Sequence, residues 1–316
     1  MPSLVYARDN QSVLSPTGVE AERTLALTWI LLSGGTAILL GMCVLTAIAL
    51  AGRTDSRRWL SDDRTLIAGG IVFPVVVLTA LLFYEAVARI RPAIAEALAP
   101  VRIAVVGEQW WWRVAYRLED GRSVETANEL HIPVGRPVRL ELSTADVIHS
   151  FWVPPLSGKL DMIPGRTTML TLMATEAGLT RGQCAEYCGG AHALMSFHVV
   201  AMPPDEYEQW LMREAAPAAL PQSASDEQGL NLFLSSGCGG CHTIRGTAAN
   251  GTIGPDLTHL GSRTSLAAAT LRNDQESLAR WITDNQHIKP ENRMPAFGIF
   301  SPAELNALSG FLAGLR

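Results

Sequence analysis

Apolar residues crowd the start of the chain. From Leu25 to Ala51 ("LALTWILLSGGTAILLGMCVLTAIALA") no charge occurs, and as a helix this run would reach roughly 40 Å against about 30 Å of bilayer hydrocarbon. A second uncharged run, Leu66 to Tyr84, is just long enough to cross, with Pro74 expected to kink it and Glu85 and Arg89 closing it. A cleaved signal peptide is the alternative for the first run, but the apolar stretch is far longer than a signal's and a polar tail precedes it. The loop between the runs carries Arg53, Arg57, Arg58 and Arg64, whereas the tail offers only Arg8 and Arg23. The positive-inside rule therefore places the loop in the cytoplasm and both chain ends outside, with Trp29 and Tyr84 at the outer membrane face.

From about residue 100 the texture changes to short β-type runs separated by Gly and Pro turns: "VRIAVVGEQWWWRVAYRL", "ELHIPVGRPVRLELST", "VIHSFWVP", "TTMLTLMAT" and "MSFHVVAM". They predict a small β-sandwich or barrel that ends in the short helix "DEYEQWLMRE". The stretch "AAPAALPQSAS" has the makeup of a linker. After it, "DEQGLNLFLSSG", "SLARWITDN" and "SPAELNALSGFLAGL" read as amphipathic helices. The pattern thus divides a multidomain membrane protein into an external tail (1–24), a two-helix transmembrane anchor (25–95), an all-β domain (96–214), a linker (215–225) and an all-α domain (226–316).

Composition agrees with a chain partly in lipid, at 48% hydrophobic and 17% charged. The net charge of -5 is mild, and the absence of any Lys/Arg block argues against a nucleic-acid partner. Of the five cysteines, Cys184 pairs with Cys188 and Cys238 with Cys241, while Cys43 stands alone in the first apolar run. Pairs that close suit cofactor ligands better than a disulfide framework.

In "QCAEYCGGAHALM", Cys188, His192 and Met195 have the spacing of a copper-binding loop: thiolate, imidazole and an axial thioether. His149, ending an earlier β run, can join them across a sandwich. Cys184 is more than a one-copper site needs, and two nearby thiolates can bridge two copper ions. Zinc on His149, Cys184, Cys188 and His192 is the competing reading, as is a disulfide; the methionine favours copper. His149 alone would read as an ordinary strand histidine.

The last domain carries "CGGCH". Cys238, Cys241 and His242 form the attachment signature of a c-type heme, two thioether bonds and one axial imidazole. A redox dithiol or half a zinc site shares the spacing. Met294 in "NRMPAFG" is placed for the second axial position, with His259, His287 or mere packing of Met294 as alternatives.

These motifs carry a resemblance. Residues 20 to 213 resemble subunit II of the heme-copper cytochrome c oxidases, on "GEQWWWRVAY", "DVIHSFWVPPLSGKLDMIPGR" and "GQCAEYCGGAHALM". Residues 226 to 316 are similar to a class I cytochrome c. The resemblance implies a cupredoxin sandwich holding a binuclear copper A centre. Cys184 and Cys188 would bridge the coppers, with His149 and Met195 completing one ion and His192 and the Glu186 carbonyl the other. The Glu186 side chain would also reach a magnesium ion shared with subunit I. Trp110 would admit electrons, with ordinary packing as its alternative; Asp146 and Arg166 would serve structural or interface roles.

Two departures stand out. Many relatives carry a glutamate at the mouth of a proton path where this chain has Ile67, beside Asp62, Asp63 and Arg64, and many carry tyrosine where it has Trp111. The implied function is that of an electron-transfer subunit of a respiratory terminal oxidase in a bacterial plasma membrane. Electrons from an external cytochrome c or another donor would pass from heme c to copper A and on to subunit I, where dioxygen is reduced and protons are translocated. The alternative is an autonomous membrane-tethered copper and heme carrier serving another reductase.

Overall fold

The computed structural model describes residues 11–88, 101–118, 120–219 and 221–316. Arg8, Arg89, the boundary expected at 95–96 and Leu220 lie outside them. The chain forms two compact units, Glu22–Leu98, and Met1–Ala21 with Ala99–Arg316.

In the first unit, helix α1 (Val19–Ala51) is followed by the short α2 (Thr54–Leu60) and by α3 (Asp63–Val87). Among the described residues, α1 and α3 are the two helices long and apolar enough to cross a membrane. The irregularity expected at Pro74 takes the form of a π-helical turn over Ala68–Val72. Proline has no N–H for the carbonyl of Gly70 and its ring crowds that oxygen, so a widened turn immediately upstream relieves the clash.

In the second unit, ten strands build the β domain. They are β1 (Val101–Glu108), β2 (Trp111–Arg117), β3 (Ser123–Ala127), β4 (Glu129–Pro133), β5 (Val138–Thr144), β6 (His149–Trp152), β7 (Leu160–Met162), β8 (Thr168–Leu172), β9 (Gly178–Cys184) and β10 (Ser196–Met202). Among the described residues they form two five-stranded sheets, ordered β3-β2-β1-β5-β8 and β4-β10-β9-β6-β7. Alternation decides the faces: Ile103 and Val105 of β1 and Trp112, Val114 and Tyr116 of β2 are buried, their neighbours less so. Trp112 centres the core, edge-on to Phe151 and Phe197. The polar tail joins the same structure, since the Thr17 N–H donates to Pro155 and Thr17 accepts from Thr175, each at 2.8 Å.

Helix α4 (Pro204–Ala215) closes the sandwich, with Trp210 stacked on His131 at 4.0 Å. The last domain packs α5 (Ala224–Ser235), α6 (Gln275–Ile288) and α7 (Pro302–Gly314) around Phe233, Ile282, Leu308 and Phe311. Each helix starts where its sequence says it should: Ser223, Asp274 and Ser301 cap the first turns, the last in a reciprocal box with Glu304.

The stretch read as a linker is shorter and less free than its composition suggests. Ala215 ends α4, while Ala224 and Ser225 begin α5. Between them the Ala218 N–H donates to the Arg245 carbonyl at 2.9 Å, and the Ala216 carbonyl lies 3.0 Å from Nε2 of His259. Small apolar residues still carry backbone donors and acceptors, and here the helical domain supplies their partners. A seam between the β and helical domains follows. The Glu129 carboxylate accepts from the Thr264 N–H at 2.7 Å and from its hydroxyl, and Arg113 donates to the Thr252 carbonyl at 2.9 Å.

Candidate functional site

Strand ends gather the sulfur and imidazole groups. His149 begins β6, Cys184 ends β9, and the pairing Phe151↔Cys184 sets these strands side by side. The loop from β9 to β10 carries Glu186, Cys188 and His192, and the Cys184 N–H donates to the Met195 carbonyl at 2.9 Å, closing it. The two sulfurs stand 3.8 Å apart. His149 Nδ1 is 3.7 Å and the Glu186 carbonyl 3.2 Å from Cys184 Sγ. On the other side, His192 Nδ1 is 3.4 Å and Met195 Sδ 3.8 Å from Cys188 Sγ. Ligand atoms of His149, Cys184 and Cys188 all lie within 4.8 Å of one another.

The charges in this cluster call for a cation. Hydrogen bonding to Cys188 is the largest influence holding the Cys184 thiol well below its ordinary pKa, and the same contact pushes Cys188 up, because two adjacent thiolates repel. A bound soft cation would remove that conflict, and a thiolate, imidazole and thioether set suits copper. Asp146 orients one ligand: its carboxylate lies 2.9 Å from His149 Nε2 and accepts from the Gln109 N–H at 2.8 Å. Nδ1 of His149 is thereby left toward the sulfurs. Burial opposes charge on both partners, yet their hydrogen bonds win, lowering Asp146 and raising His149. Gly107 makes room for the ring, since a Cβ there would come within 2.7 Å of it.

Trp110 is buried, and its indole N–H donates to the Cys188 carbonyl at 3.0 Å; Gln109 donates to the same oxygen at 2.8 Å. Trp110 also lines a cavity of about 320 Å³ whose wall includes Cys238, Cys241, His242 and Met294. Trp111 lines it too, and the Arg113 guanidinium sits 4.8 Å from the Trp111 ring centre.

Within the cavity, His242 Nδ1 lies 2.8 Å from the Pro255 carbonyl, which fixes the ring and leaves Nε2 for a ligand. Burial keeps this imidazole below its ordinary pKa and so in the neutral form that binds metal. Gly254 is required by the same ring, because a Cβ there would approach it to 2.6 Å. Met294 is held through its N–H to Asn292 and its carbonyl from Gln286, both at 3.0 Å. The alternative axial residues point elsewhere: His259 is engaged with Ala216, and His287 is exposed beside Asp284. Two thiols, a fixed imidazole and a thioether on one cavity fit a covalently attached heme.

The remaining candidates are peripheral. The Glu186 carboxylate is half exposed and 3.6 Å from the Lys159 ammonium, while Arg166 is exposed. Ile67 ends the first turns of α3, immediately before the π-helical turn. Sequence reasoning missed Gln109, the orienting role of Asp146, and Lys289, whose ammonium reaches the Trp110 carbonyl at 2.5 Å. The only signal for Gln109 and Asp146 was their place beside Trp110 and His149.

Residues 117–202 match the family described as cytochrome c oxidase subunit II, periplasmic domain, and residues 227–316 match cytochrome c. The chain is 40% identical over 216 residues to cytochrome c oxidase subunit 2 of Alkalihalophilus pseudofirmus, covering 68% of this chain and 61% of that protein. It is 33% identical over 219 residues to the Bacillus subtilis protein of the same name, covering 66% and 60%. The chain thus spans about three fifths of the length of these relatives. The crystal structure of the periplasmic domain of subunit II of the Bradyrhizobium japonicum cytochrome oxidase is similar at 30% identity and a TM-score of 0.35, over 37% of this chain and 94% of that one.

Proposed function

We propose, for a chain that joins a cytochrome c oxidase subunit II periplasmic domain to a cytochrome c domain, that it is the electron-transfer subunit of a membrane-bound terminal oxidase. The observation that carries this reading is a single side chain at both sites: Trp110 lines the cavity of Cys238, Cys241 and His242 and hydrogen-bonds the carbonyl of Cys188. When bound, a heme in the cavity and a pair of coppers at the sulfurs would supply one-electron donor and acceptor in turn. Cys238, Cys241, His242 and Met294 would hold the heme, and Cys184, Cys188, His149, His192, Met195 and the Glu186 carbonyl would hold the coppers.

The residues otherwise act by positioning and by excluding water. Asp146 and Pro255 fix the two histidine rings, the buried sulfurs keep solvent from the copper cluster, and Trp110 closes the gap between the sites. The tail's pairing with the sandwich supports placing both outside the membrane, with the arginine loop in the cytoplasm. The Glu186 carboxylate is the candidate for a magnesium ion at the contact with subunit I, an ion that would have to displace Lys159. An external donor would deliver to the heme domain.

Metal analysis and spectra of the detergent-extracted protein test this reading. Two coppers and one covalent heme per chain, a mixed-valence copper signal, and a companion protein with further heme are expected. One copper, or zinc held as firmly, would overturn the binuclear assignment, and purification of the chain alone would point to an autonomous carrier.

A further inference from the structure

Lys289 follows α6, and its side chain turns away from solvent into the seam between the domains, where the residue is 3% exposed. Its ammonium donates to three backbone carbonyls: Trp110 at 2.5 Å, Leu194 at 3.0 Å and Ala267 at 3.3 Å. Three acceptors match the three N–H groups of a charged lysine, whereas a neutral amine has only two. Burial lowers this group to about 7, opposed by the Cys188 sulfur, so the carbonyls are what the charged form needs in place of water.

The three carbonyls belong to different working parts. Trp110 touches both sites. Leu194 closes the 3-10 turn His192–Leu194, between two of the sulfur cluster's neighbours, His192 and Met195. Ala267 opens a run of alanines, Ala267 to Ala269, at φ of 53°, 61° and 58°. That left-handed conformation is unfavourable for alanine, and Ala267 and Ala268 form part of the cavity wall; the Thr270 hydroxyl holds the Ala267 carbonyl from within the turn at 2.8 Å, and Lys289 adds a second hold from outside it. Nothing in the established chemistry of either site requires a lysine there.

We propose that Lys289 is a positioning residue for transfer between the two sites, one ammonium holding the cavity wall, Trp110 and the metal-ligand loop in a single register. This rests on the functional reading above. Glu129 and Thr264 hold a separate part of the seam, so loss of Lys289 leaves the domains joined but loosens the register where the sites meet.

The test compares wild type with Lys289→Met, which keeps the chain length and removes the donors, and with Lys289→Gln, which keeps two donors. Amide hydrogen exchange in the full chain is the first readout. Faster exchange is expected in both His192–Leu194 and Ala267–Ala269 of K289M, with K289Q intermediate; a change confined to the helical domain would overturn the proposal. The second is the rate at which a flash-reduced heme passes its electron to copper, expected to fall at least severalfold in K289M with heme and copper spectra unchanged. An unchanged rate would overturn the proposal. If K289M fails to take up heme, K289Q decides by the same criteria: wild-type exchange and rate would overturn it. Absence of transfer in the wild type itself would refute the functional reading instead, with the exchange result still judging Lys289 separately.

Discussion

The indole N–H of Trp110 meets the carbonyl oxygen of Cys188 at 3.0 Å, while the same side chain forms part of the wall around Cys238, Cys241 and His242. Any buried indole N–H needs an acceptor; here the acceptor is the carbonyl of a proposed copper ligand, and the ring faces the other site. Trp110→Phe keeps a ring in place and removes the donor. Electron transfer from heme to copper should slow severalfold in W110F while copper content and heme attachment stay at wild-type levels. Stopped-flow reduction of the copper band measures this, and an unchanged rate would reduce Trp110 to packing.

Asp146 holds His149 through Nε2 and is itself held by the Gln109 N–H. In Asp146→Asn the amide can still bond the ring, but without the charge that fixes its tautomer. Loss of such an outer partner costs about 10–100-fold in metal affinity. Competition against a chelator should show that loss in D146N, smaller than the loss in a His192 variant because His192 is itself among the expected ligands; wild-type affinity in D146N would remove the orienting role.

Met294 lines the same cavity as Cys238 and Cys241, and in the proposed reading attachment rests on the two thiols alone. Met294→Ala should therefore retain covalent heme and leave the iron open on that side. Carbon monoxide should bind the reduced variant readily and the reduced wild type poorly. Equal binding by both would remove Met294 from the axial role.

Burial alone would raise the Glu129 carboxyl; hydrogen bonds from His131 and Thr264 reverse this and take it down to about 2. Its folded pKa is thus below its unfolded value of about 4.5. Such a depressed group contributes stability that is complete above the unfolded pKa and is lost as pH falls toward 2. The shift corresponds to on the order of 3 kcal/mol; after burial, which opposes it, the largest influence is His131 within the β domain, with the hydrogen bonds from Thr264 of the helical domain following. Thermal unfolding from pH 6 to about pH 2 should show a steep acid limb in the wild type and a shallower one in Glu129→Gln. Parallel limbs would mean that Glu129 does not carry this acid sensitivity.

Much of this was legible along the chain because the determining signals are local. Uncharged runs marked the two long apolar helices, β-type runs between Gly and Pro turns marked the sandwich, and amphipathic runs marked the helices of the last domain. The candidate ligand residues drew notice by their spacing, which zinc, a disulfide or a redox dithiol would share, and the structure brings His149, Cys184, Cys188, His192 and Met195 together. What could not be read was contact between distant segments. Lys289 is separated from Trp110 by 179 positions, and no periodicity links a lysine after a helix to a carbonyl in a β turn. The same holds for Glu129 and Thr264, and for Ala216 and Ala218, whose backbone groups meet His259 and Arg245 of the helical domain. At Pro74 the residue type foretold a disturbance, but its form, a π-helical turn, depended on how the neighbouring carbonyls could be accommodated.

A donor and an acceptor held against each other by Lys289 and Glu129 should exchange electrons within one chain, without an encounter step. Flash reduction of the heme in the detergent-solubilised full chain, followed in the heme and copper bands over a range of protein concentrations, examines this directly. Heme reoxidation and copper reduction should coincide in one first-order phase whose rate does not change with concentration. A rate proportional to concentration, or a heme that keeps its electron while the copper stays oxidised, would contradict the proposed route through Trp110.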